Sequence, residues 1–307
     1  MLNDLINELK AGSPTDPSVY WVHHKPREIA DLYYERHAEH ISNGMVKQQL
    51  KDLGFKYRRL SKQLPTGVYD KRNEQFDIIC LLILSLSLQS PIISIDCKKK
   101  EVLGSLHRSG KVCCQSALKV ADHDYDHLAT GKVIPHGIYD LLHNIGYVTI
   151  GTSHETADFI AENILWWWDN YGIHLYPNAE SILILCDAGG ANSYRHHIFK
   201  QAMLNLAKTI GIDIIICHYP PYASKWNPIE HRLFAHMHHA AEGIIFDSYQ
   251  TVKMAFEKTH TNTGLKVVVR LVDKQYDIGR KVNKNDIDWK RIQFNKKLPE
   301  LSYRLIA

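Results

Sequence analysis

The apolar positions of this chain recur in two patterns, one helical and one strand-like, and their order divides it. Near the N-terminus the spacing is helical. Pro26 suits the first turn of a helix, and Ile29, Ala30, Leu32 and Tyr33 give that helix one apolar stripe. Ser42 can cap a second helix whose inner face is Met45, Val46, Leu50 and Leu53, with Gly54 as its stop. Phe55 to Arg59 reads as a short basic strand or wing. Helix, turn, helix and wing is the layout of a helix-turn-helix of the winged-helix type. The outer face of the second helix would present Lys47, Gln48 and Lys51 to phosphates and base edges, beside Arg58 and Arg59 of the wing. A plain helical hairpin with a charged exterior fits the same pattern.

Residues 61–73 are polar, hold Pro65 and Gly67, and read as a linker. Beyond it the pattern alternates between strands and helices. A buried helix over about 75–89 precedes a strand at Ile92–Cys97, with Glu101–Leu106 and Ser116–Ala121 as its antiparallel neighbours. Thr156–Trp168 and Asn192–Ile210 read as helices. Ser181–Cys186 and Ile212–Cys217 are nearly all apolar, as strands buried on both faces are, and Pro228 opens a further helix. This predicts an α/β core, a mixed sheet covered by helices. Ile78 to Ile95 carries no charge and has about the length of a membrane span, but Pro91, Gln89 and four serines interrupt it, so no membrane association is expected.

Composition adds modestly to this. The 307 residues are 45% hydrophobic, enough for a sizeable core, and the net charge is only +4. The distribution of charge is more informative. Lys47–Lys62 holds six basic residues and one acid, and Lys253–Arg304 holds thirteen against six, so both segments could face a polyanion. The six cysteines form no CxxC pair and read as reduced, buried thiols of a cytoplasmic protein, and the N-terminus lacks a signal-peptide pattern. No P-loop is present, so there is no sign of ATP use.

Three acids stand at informative places. Asp96 and Asp187 end predicted core strands, at the rim where sites gather in α/β folds, and Glu230 lies in the first turn of the helix opened by Asn227-Pro228. Carboxylates are hard ligands suited to Mg²⁺, and three that converge can hold two ions for phosphodiester chemistry. Each has a structural reading too. An aspartate at a strand end often begins a turn. Asn227 and Glu230 are spaced as a capping box, in which the glutamate would bond backbone. Gly189-Gly190 after Asp187 allows close approach of backbone to a ligand, and Asn192 or Ser193 could cap the next helix beside Arg195. Ahead of Glu230, Trp226 could stack on a base, and Lys225 and Arg232 could meet phosphates. His231, His236, His238 and His239 crowd one helix without a zinc motif, and Trp166-Trp167-Trp168 cannot all face one way.

Ile95-Asp96-Cys97-Lys98-Lys99-Lys100-Glu101, the Asp187–Ser193 loop and the Ser224–Phe234 segment occur in the order of three catalytic blocks. Together they resemble the ISAzo-type insertion-sequence transposases, a bacterial DDE family. His136–Asp140 and Gly151–Ala157 resemble intervening segments, and the similarity runs over roughly residues 20–307. Cys97, Ala191 and Tyr222 stand where the family more often has threonine, serine and glycine.

The resemblance implies an RNase H-like core with a mixed five-stranded sheet and flanking helices. It implies Asp96, Asp187 and Glu230 as catalytic, metal-binding triad, two Mg²⁺ or Mn²⁺ ions, and strand cleavage and transfer at element ends. Expected partners are terminal-repeat and target DNA, bound by a homodimer in the prokaryotic nucleoid. The expected division is a helix-turn-helix domain at 1–62, linker and helix at 63–90, catalytic core at 91–245 and a basic C-terminal extension at 246–307. Family members usually carry more DNA-binding sequence ahead of the segment like residues 20–60. The alternative is therefore an N-terminally truncated relic that binds DNA without cutting it.

Overall fold

The computed structural model describes residues 1–12, 20–58, 70–86, 89–116, 118–121, 126–221, 223 and 226–307. The chain divides into two compact units, Met1–Pro65 and Thr66–Ala307.

In the first unit, α1 (Leu2–Glu8) is followed by a hairpin of β1 (Lys10–Gly12) and β2 (Tyr20–Val22), then α2 (Pro26–His37) and α3 (Asn43–Asp52). Leu5, Ile6, Ile29, Ala30, Tyr33 and Val46 form its core. Pro26 occupies the first turn of α2, and the Ser42 hydroxyl accepts a hydrogen bond from the Met45 amide at 3.2 Å, so both expected helix starts hold. The chain leaves α3 through Gly54 at φ +82°, a conformation glycine reaches without strain.

Two expectations for this unit fail. Met45 is 57% exposed, because the inner face follows Val46, Leu50 and Leu53, and Met45 lies about 100° away on the helix. Residues 55–58 form no strand, and the unit's only pairing among the described residues precedes α2 rather than following α3.

The second unit opens with α4 (Arg72–Ser85) and is built on one sheet. Its strands are β3 (Ile92–Cys97), β4 (Glu101–Leu103), β5 (Gly131–Asp140), β6 (Ile145–Gly151), β7 (Ser181–Cys186), β8 (Asp213–His218), β9 (Lys266–Val272), β10 (Ile292–Phe294) and β11 (Ser302–Leu305). Their order is β10-β11-β8-β7-β3-β5-β6-β9, with β4 paired to β5. The strands β3, β5 and β6 form an antiparallel meander, and β7 and β8 continue it in parallel on the other side of β3. The five central strands, β6-β5-β3-β7-β8, thus have RNase H-like order and direction. Segment 246–307 extends both edges: β9 pairs parallel to β6, and the β10–β11 hairpin pairs antiparallel to β8.

The antiparallel neighbours of β3 were misplaced by the sequence pattern. Its partner is β5, and Glu101–Leu103 pairs with β5 instead, while Ala121 makes only an isolated bridge to Leu106. The segment Gly131–Asp140 is buried on both faces from Val133 onward, so it shows no alternation, and Pro135 and Gly137 break its strand signature. Pro135 is tolerated because the β3 pairing ends at Cys97–His136, and its carbonyl still accepts from the Lys98 amide at 2.9 Å.

Helices cover both faces. On one, α5 (Ala157–Trp167) continues through a π-helical turn (Trp168–Gly172) into α6 (Ile173–Leu175), and α7 (His197–Ile210) lies beside α5. Ile160, Ile164, Trp167, Phe199 and Met203 pack there against Ile93, Ile95, Ile182 and Ile184. The alternate residues Leu183 and Leu185 meet Ile78 and Ile79 of α4 on the opposite face. That face also carries the helix begun at Pro228, with a π-helical turn (Glu230–Phe234), then α8 (Ala235–Ala240) and α9 (Tyr249–Glu257). Trp167 and Trp168 are buried, whereas Trp166 is half-buried with the Arg270 guanidinium 4.2 Å from its ring centre. All six cysteines are free, but Cys80, Cys113 and Cys114 are exposed, so the expectation of buried thiols holds for only part of the set. Among the described residues no helix is long and apolar enough to cross a membrane.

Two glycines set how closely the Pro228 helix approaches the sheet. A Cβ on Gly137 would come within 2.6 Å of the Phe234 ring and 2.9 Å of Ile229 Cδ1, and one on Gly146 would collide with Leu233. All three neighbours are buried and cannot swing away. Gly137→Ala is therefore expected to destabilise the protein by about 1–3 kcal/mol through overpacking. Thermal unfolding should register this as roughly 2–4 °C per kcal/mol. An unchanged Tm would show that the helix is free to shift.

Candidate active site

Asp96 and Asp187 come together because of the register of two parallel strands. Ile95 of β3 pairs with Cys186 of β7, so the next residue of each strand is an aspartate at the same end of the sheet. Adjacent strands are about 4.8 Å apart, which makes the two carboxylates neighbours by construction. Asp96 is buried and Asp187 half-buried.

Glu230 reaches the same place from the opposite direction, through Asn227. Asn227 is fully buried, and its side chain crosses to β3 instead of capping its own helix. Its Oδ1 accepts from the Ser94 hydroxyl, and its Nδ2 donates to the Ile95 carbonyl at 3.3 Å. The Ile229 amide donates to Ser94 Oγ at 3.2 Å. This clamp fastens the start of the helix to the strand that carries Asp96, and brings the Glu230 carboxylate near enough for its charge to act on Asp96. The capping-box reading does not hold for Asn227, because its side chain is engaged with β3. The turn from Glu230 to Phe234 is π-helical, a local widening often met at functional positions.

Burial first, then the Asp187 and Glu230 charges, push the Asp96 carboxyl up to about 8, against the partial relief of the Cys97 amide at 2.7 Å. Burial also raises Asp187, while the Asn192 side-chain amide, 3.4 Å away, and the Gly189 amide oppose the shift. Asn192 thus serves Asp187, within a 3₁₀ turn (Gly190–Asn192). For that reason α7 begins only at His197, five residues later than the apolar pattern suggested, without a side-chain cap.

Behind Asp187 lies His218, fully buried and held neutral by that burial, which pushes its pKa down to about 4. Its Nδ1–H donates to the Asp187 carbonyl at 2.9 Å, and Nε2 accepts from the Tyr303 hydroxyl at 3.2 Å. A fourth carboxylate, Glu155, raises Asp187 through its charge, while the Cys97 thiol donates to the Pro135 carbonyl at 3.4 Å.

Sequence reasoning missed Ser94, His218 and Glu155, and misassigned Asn192 and Asn227. Ser94 carried a usable signal, since it is the only polar residue inside an otherwise apolar run before Asp96.

The expected DNA-contacting residues fall in several places. In the first unit Lys47, Gln48 and Lys51 lie on the exposed face of α3, with Gln48 bonded to Asp52 at 2.7 Å, and Arg58 is exposed. In the second unit Arg232 is exposed one turn-fraction beyond Glu230, and Trp226 is 53% exposed with its ring edge-on to Phe76. Arg195 is exposed and donates to the Tyr194 hydroxyl at 3.0 Å. Arg59 and Lys225 lie outside the described residues.

Among the described residues no three His, Cys, Asp or Glu side chains form a ready metal cage. The donor set nonetheless fits a hard divalent cation: carboxylate oxygens, partly buried, with Asp96 and Asp187 raised in pKa by burial first and by their neighbours' charges.

Without metal, the folded protein holds a proton on Asp96 up to about pH 8, whereas the unfolded chain releases it near pH 4. The stability this contributes is full below about pH 4 and is lost as pH rises through about 8. Asp96→Asn escapes that loss. In chelator, the Tm of Asp96→Asn should exceed that of the wild type by a margin that widens from pH 5 to pH 9. A constant margin would contradict the assigned environment. Asn227→Ala, which removes the buried acceptor of the Ser94 hydroxyl and a donor to the Ile95 carbonyl, should cost about 1–3 kcal/mol in denaturant unfolding.

Among solved structures, the chain is similar to a Mos1 transposase paired-end complex with left transposon end, at 16% identity over 82% of this chain and 68% of that one, with a TM-score of 0.46. It is similar to the Mos1 mariner paired end complex with Mn at 15% identity over 82% and 68%, TM-score 0.46. It is also similar to the catalytic domain of Mos1 mariner transposase at 16% identity over 62% and 82%, TM-score 0.41. No curated protein matches the sequence. The model of a family described as the Rhodopirellula transposase DDE domain matches residues 1–307, and the chain belongs to that family of DDE transposases.

Proposed function

We propose that this transposase cuts and joins DNA strands at Asp96, Asp187 and Glu230. The observation that carries the assignment is their convergence at one end of the sheet, two by strand register and the third by the Asn227 clamp. Two divalent ions, Mg²⁺ or Mn²⁺, would be held by these carboxylates and would supply Lewis-acid stabilisation of the phosphodiester in both steps.

The protein's own part is to hold three acids where their charges oppose one another. Asn192 and the Gly189 amide orient Asp187, His218 fixes its backbone, and Asn227 sets Glu230 against Asp96. None of these side chains acts as a nucleophile. In the first step water attacks phosphorus at the element end, the P–O3′ bond breaks, and a proton passes to the solvent or to the departing 3′ oxygen. In the second, that 3′-hydroxyl attacks a target phosphodiester; one P–O bond forms, one breaks, and the target 3′-hydroxyl leaves. The count of phosphodiester bonds is unchanged in the joining step, so no nucleotide hydrolysis is needed to drive it.

Exposed Arg195 and Arg232, with Lys225 and Trp226, are assigned to DNA near the scissile phosphate. Lys47, Gln48, Lys51, Arg58 and Arg59 of the first unit are assigned to the terminal repeat, in a helix-turn-helix reading of α2 and α3. Joining both ends of an element to one target requires two active sites, so the proposed species on DNA is a homodimer. A relic that only binds DNA has no use for three mutually repelling carboxylates. Their convergence favours the enzyme.

Purified protein, incubated with element-end DNA and Mn²⁺, should give end-specific nicks and joined products. Asp187→Ala should lower both by on the order of a thousand-fold, the equivalent of several kcal/mol of transition-state stabilisation, while DNA binding persists. Chelator should abolish the wild-type reaction. Cleavage by Asp187→Ala at the wild-type rate would remove Asp187 from the site.

A further inference from the structure

The side of α4 turned away from the sheet leaves apolar side chains in solvent. From Ile78 to Leu84 every residue is apolar, so the helix is apolar around its whole circumference there. The sheet takes only one side of it. Ile78 and Ile79 pack with Leu183 and Leu185, and buried Gln75 donates to the His218 carbonyl at 2.7 Å and to Ser302 Oγ at 3.0 Å. Leu81 and Leu84 are left 65% and 81% exposed, beside exposed Cys80. A helix that is apolar on all sides is normally covered on all sides, and neighbouring exposed leucines mark a contact surface.

Along this ridge runs a cleft of about 300 Å³ whose walls carry opposite charge. Glu74 and Asp77, on the same helical stripe as Leu81, form one wall. Asn295, Lys296 and Lys297, in the segment between β10 and β11, form the other. All four charged side chains are exposed, and none forms an ion pair with a described residue. The lysine wall is as firmly held as α4. Asn295 Oδ1 accepts from the Lys297 amide at 2.9 Å and the Leu298 amide at 3.2 Å, and fully buried Leu298 joins the same apolar cluster as Ile78 and Ile79.

The charge pattern selects what covers the ridge. Glu74 and Asp77 would repel DNA phosphates, so the cleft does not suit a polyanion. A surface with an acidic wall beside a basic wall is instead complementary to itself after half a turn. A two-fold axis through the cleft carries the acidic wall of each copy over the lysines of the other, and lays lysine stems against Leu81. We propose that two copies of this chain associate through α4 and the segment between β10 and β11, in the absence of DNA. The proposal rests on the transposase reading only for its partner, the second copy, and assigns the face that holds the pair.

The test is sedimentation velocity on the full chain without DNA, over a concentration series at low and high salt. Wild type should form dimers, and added salt should weaken them because part of the attraction is ionic. Glu74→Lys/Asp77→Lys makes the face wholly basic, and Lys296→Glu/Lys297→Glu makes it wholly acidic. Each protein alone should lose self-association, with a dissociation constant raised on the order of a hundred-fold, because like charges are then juxtaposed. An equal mixture of the two should recover a dimer containing one of each, which a misfolded variant could not give. Leu81→Gln, at an exposed position, should weaken association on the order of ten-fold while its circular dichroism stays that of the wild type.

A wild type that stays monomeric across the series would overturn the proposal. So would association retained by all three variants, or charge-swapped proteins that fail to associate when mixed. Cleavage of element-end DNA in Mn²⁺ reports separately on the transposase reading: a wild type that cleaves but remains monomeric sinks this face and leaves that reading standing.

Discussion

Like charges resist being brought together, and the second unit is organised around overcoming that resistance at one end of its sheet. The parallel pairing of β3 with β7 makes Asp96 and Asp187 neighbours as a consequence of backbone hydrogen bonds spread along both strands. Repulsion between two carboxylates is small against the cost of unpairing buried strands. Glu230 has no such ladder and depends on a local device. Buried Asn227 bonds to Ser94 and Ile95, and Gly137 and Gly146 leave room for Ile229, Leu233 and Phe234 to lie against β5 and β6. Burial first, and then the charges of Asp187 and Glu230, leave the Asp96 carboxyl raised to about 8. A cation placed among the three would oppose that rise, so the shift and the proposed chemistry have one origin.

The sequence disclosed the parts of this arrangement that lie along one strand or helix. The runs Ile92–Cys97 and Ser181–Cys186 showed both core strands and placed Asp96 and Asp187 at their ends. Ser42, Gly54 and Pro26 marked helix ends correctly because capping is local chemistry. What the sequence hid was set by partners distant along the chain. The burial of β5 between β3 and β6 removes its alternation, and its Pro135 and Gly137 argue against a strand unless the neighbouring helix is known. Asn227 and Asn192 look like caps because asparagine usually bonds its own backbone. Asn227 instead reaches Ser94, 133 positions away, and Asn192 turns back to Asp187, a near neighbour that a 3₁₀ turn rather than a regular helix start brings within reach. His218 and Glu155 meet Asp187 only through tertiary packing.

The two edges of the sheet show how the C-terminal segment contributes. Although rich in lysine and arginine, residues 246–307 supply β9 to one edge and the β10–β11 hairpin to the other. Tyr303 of β11 then reaches the end of the sheet where the three acids gather, through His218. A basic composition and a structural role coexist because β-strands turn alternate side chains outward.

The central claim is that Asp96, Asp187 and Glu230 together form a site for divalent metal. The most direct measurement is calorimetric titration of Mn²⁺ into the full chain at pH 7 in buffers of different ionisation enthalpy, for the wild type and Glu230→Gln. The account predicts two ions per wild-type chain and release of the proton that Asp96 holds. Glu230→Gln should bind fewer ions, more weakly and with less proton release. Identical stoichiometry, affinity and proton release in the two proteins would contradict the account.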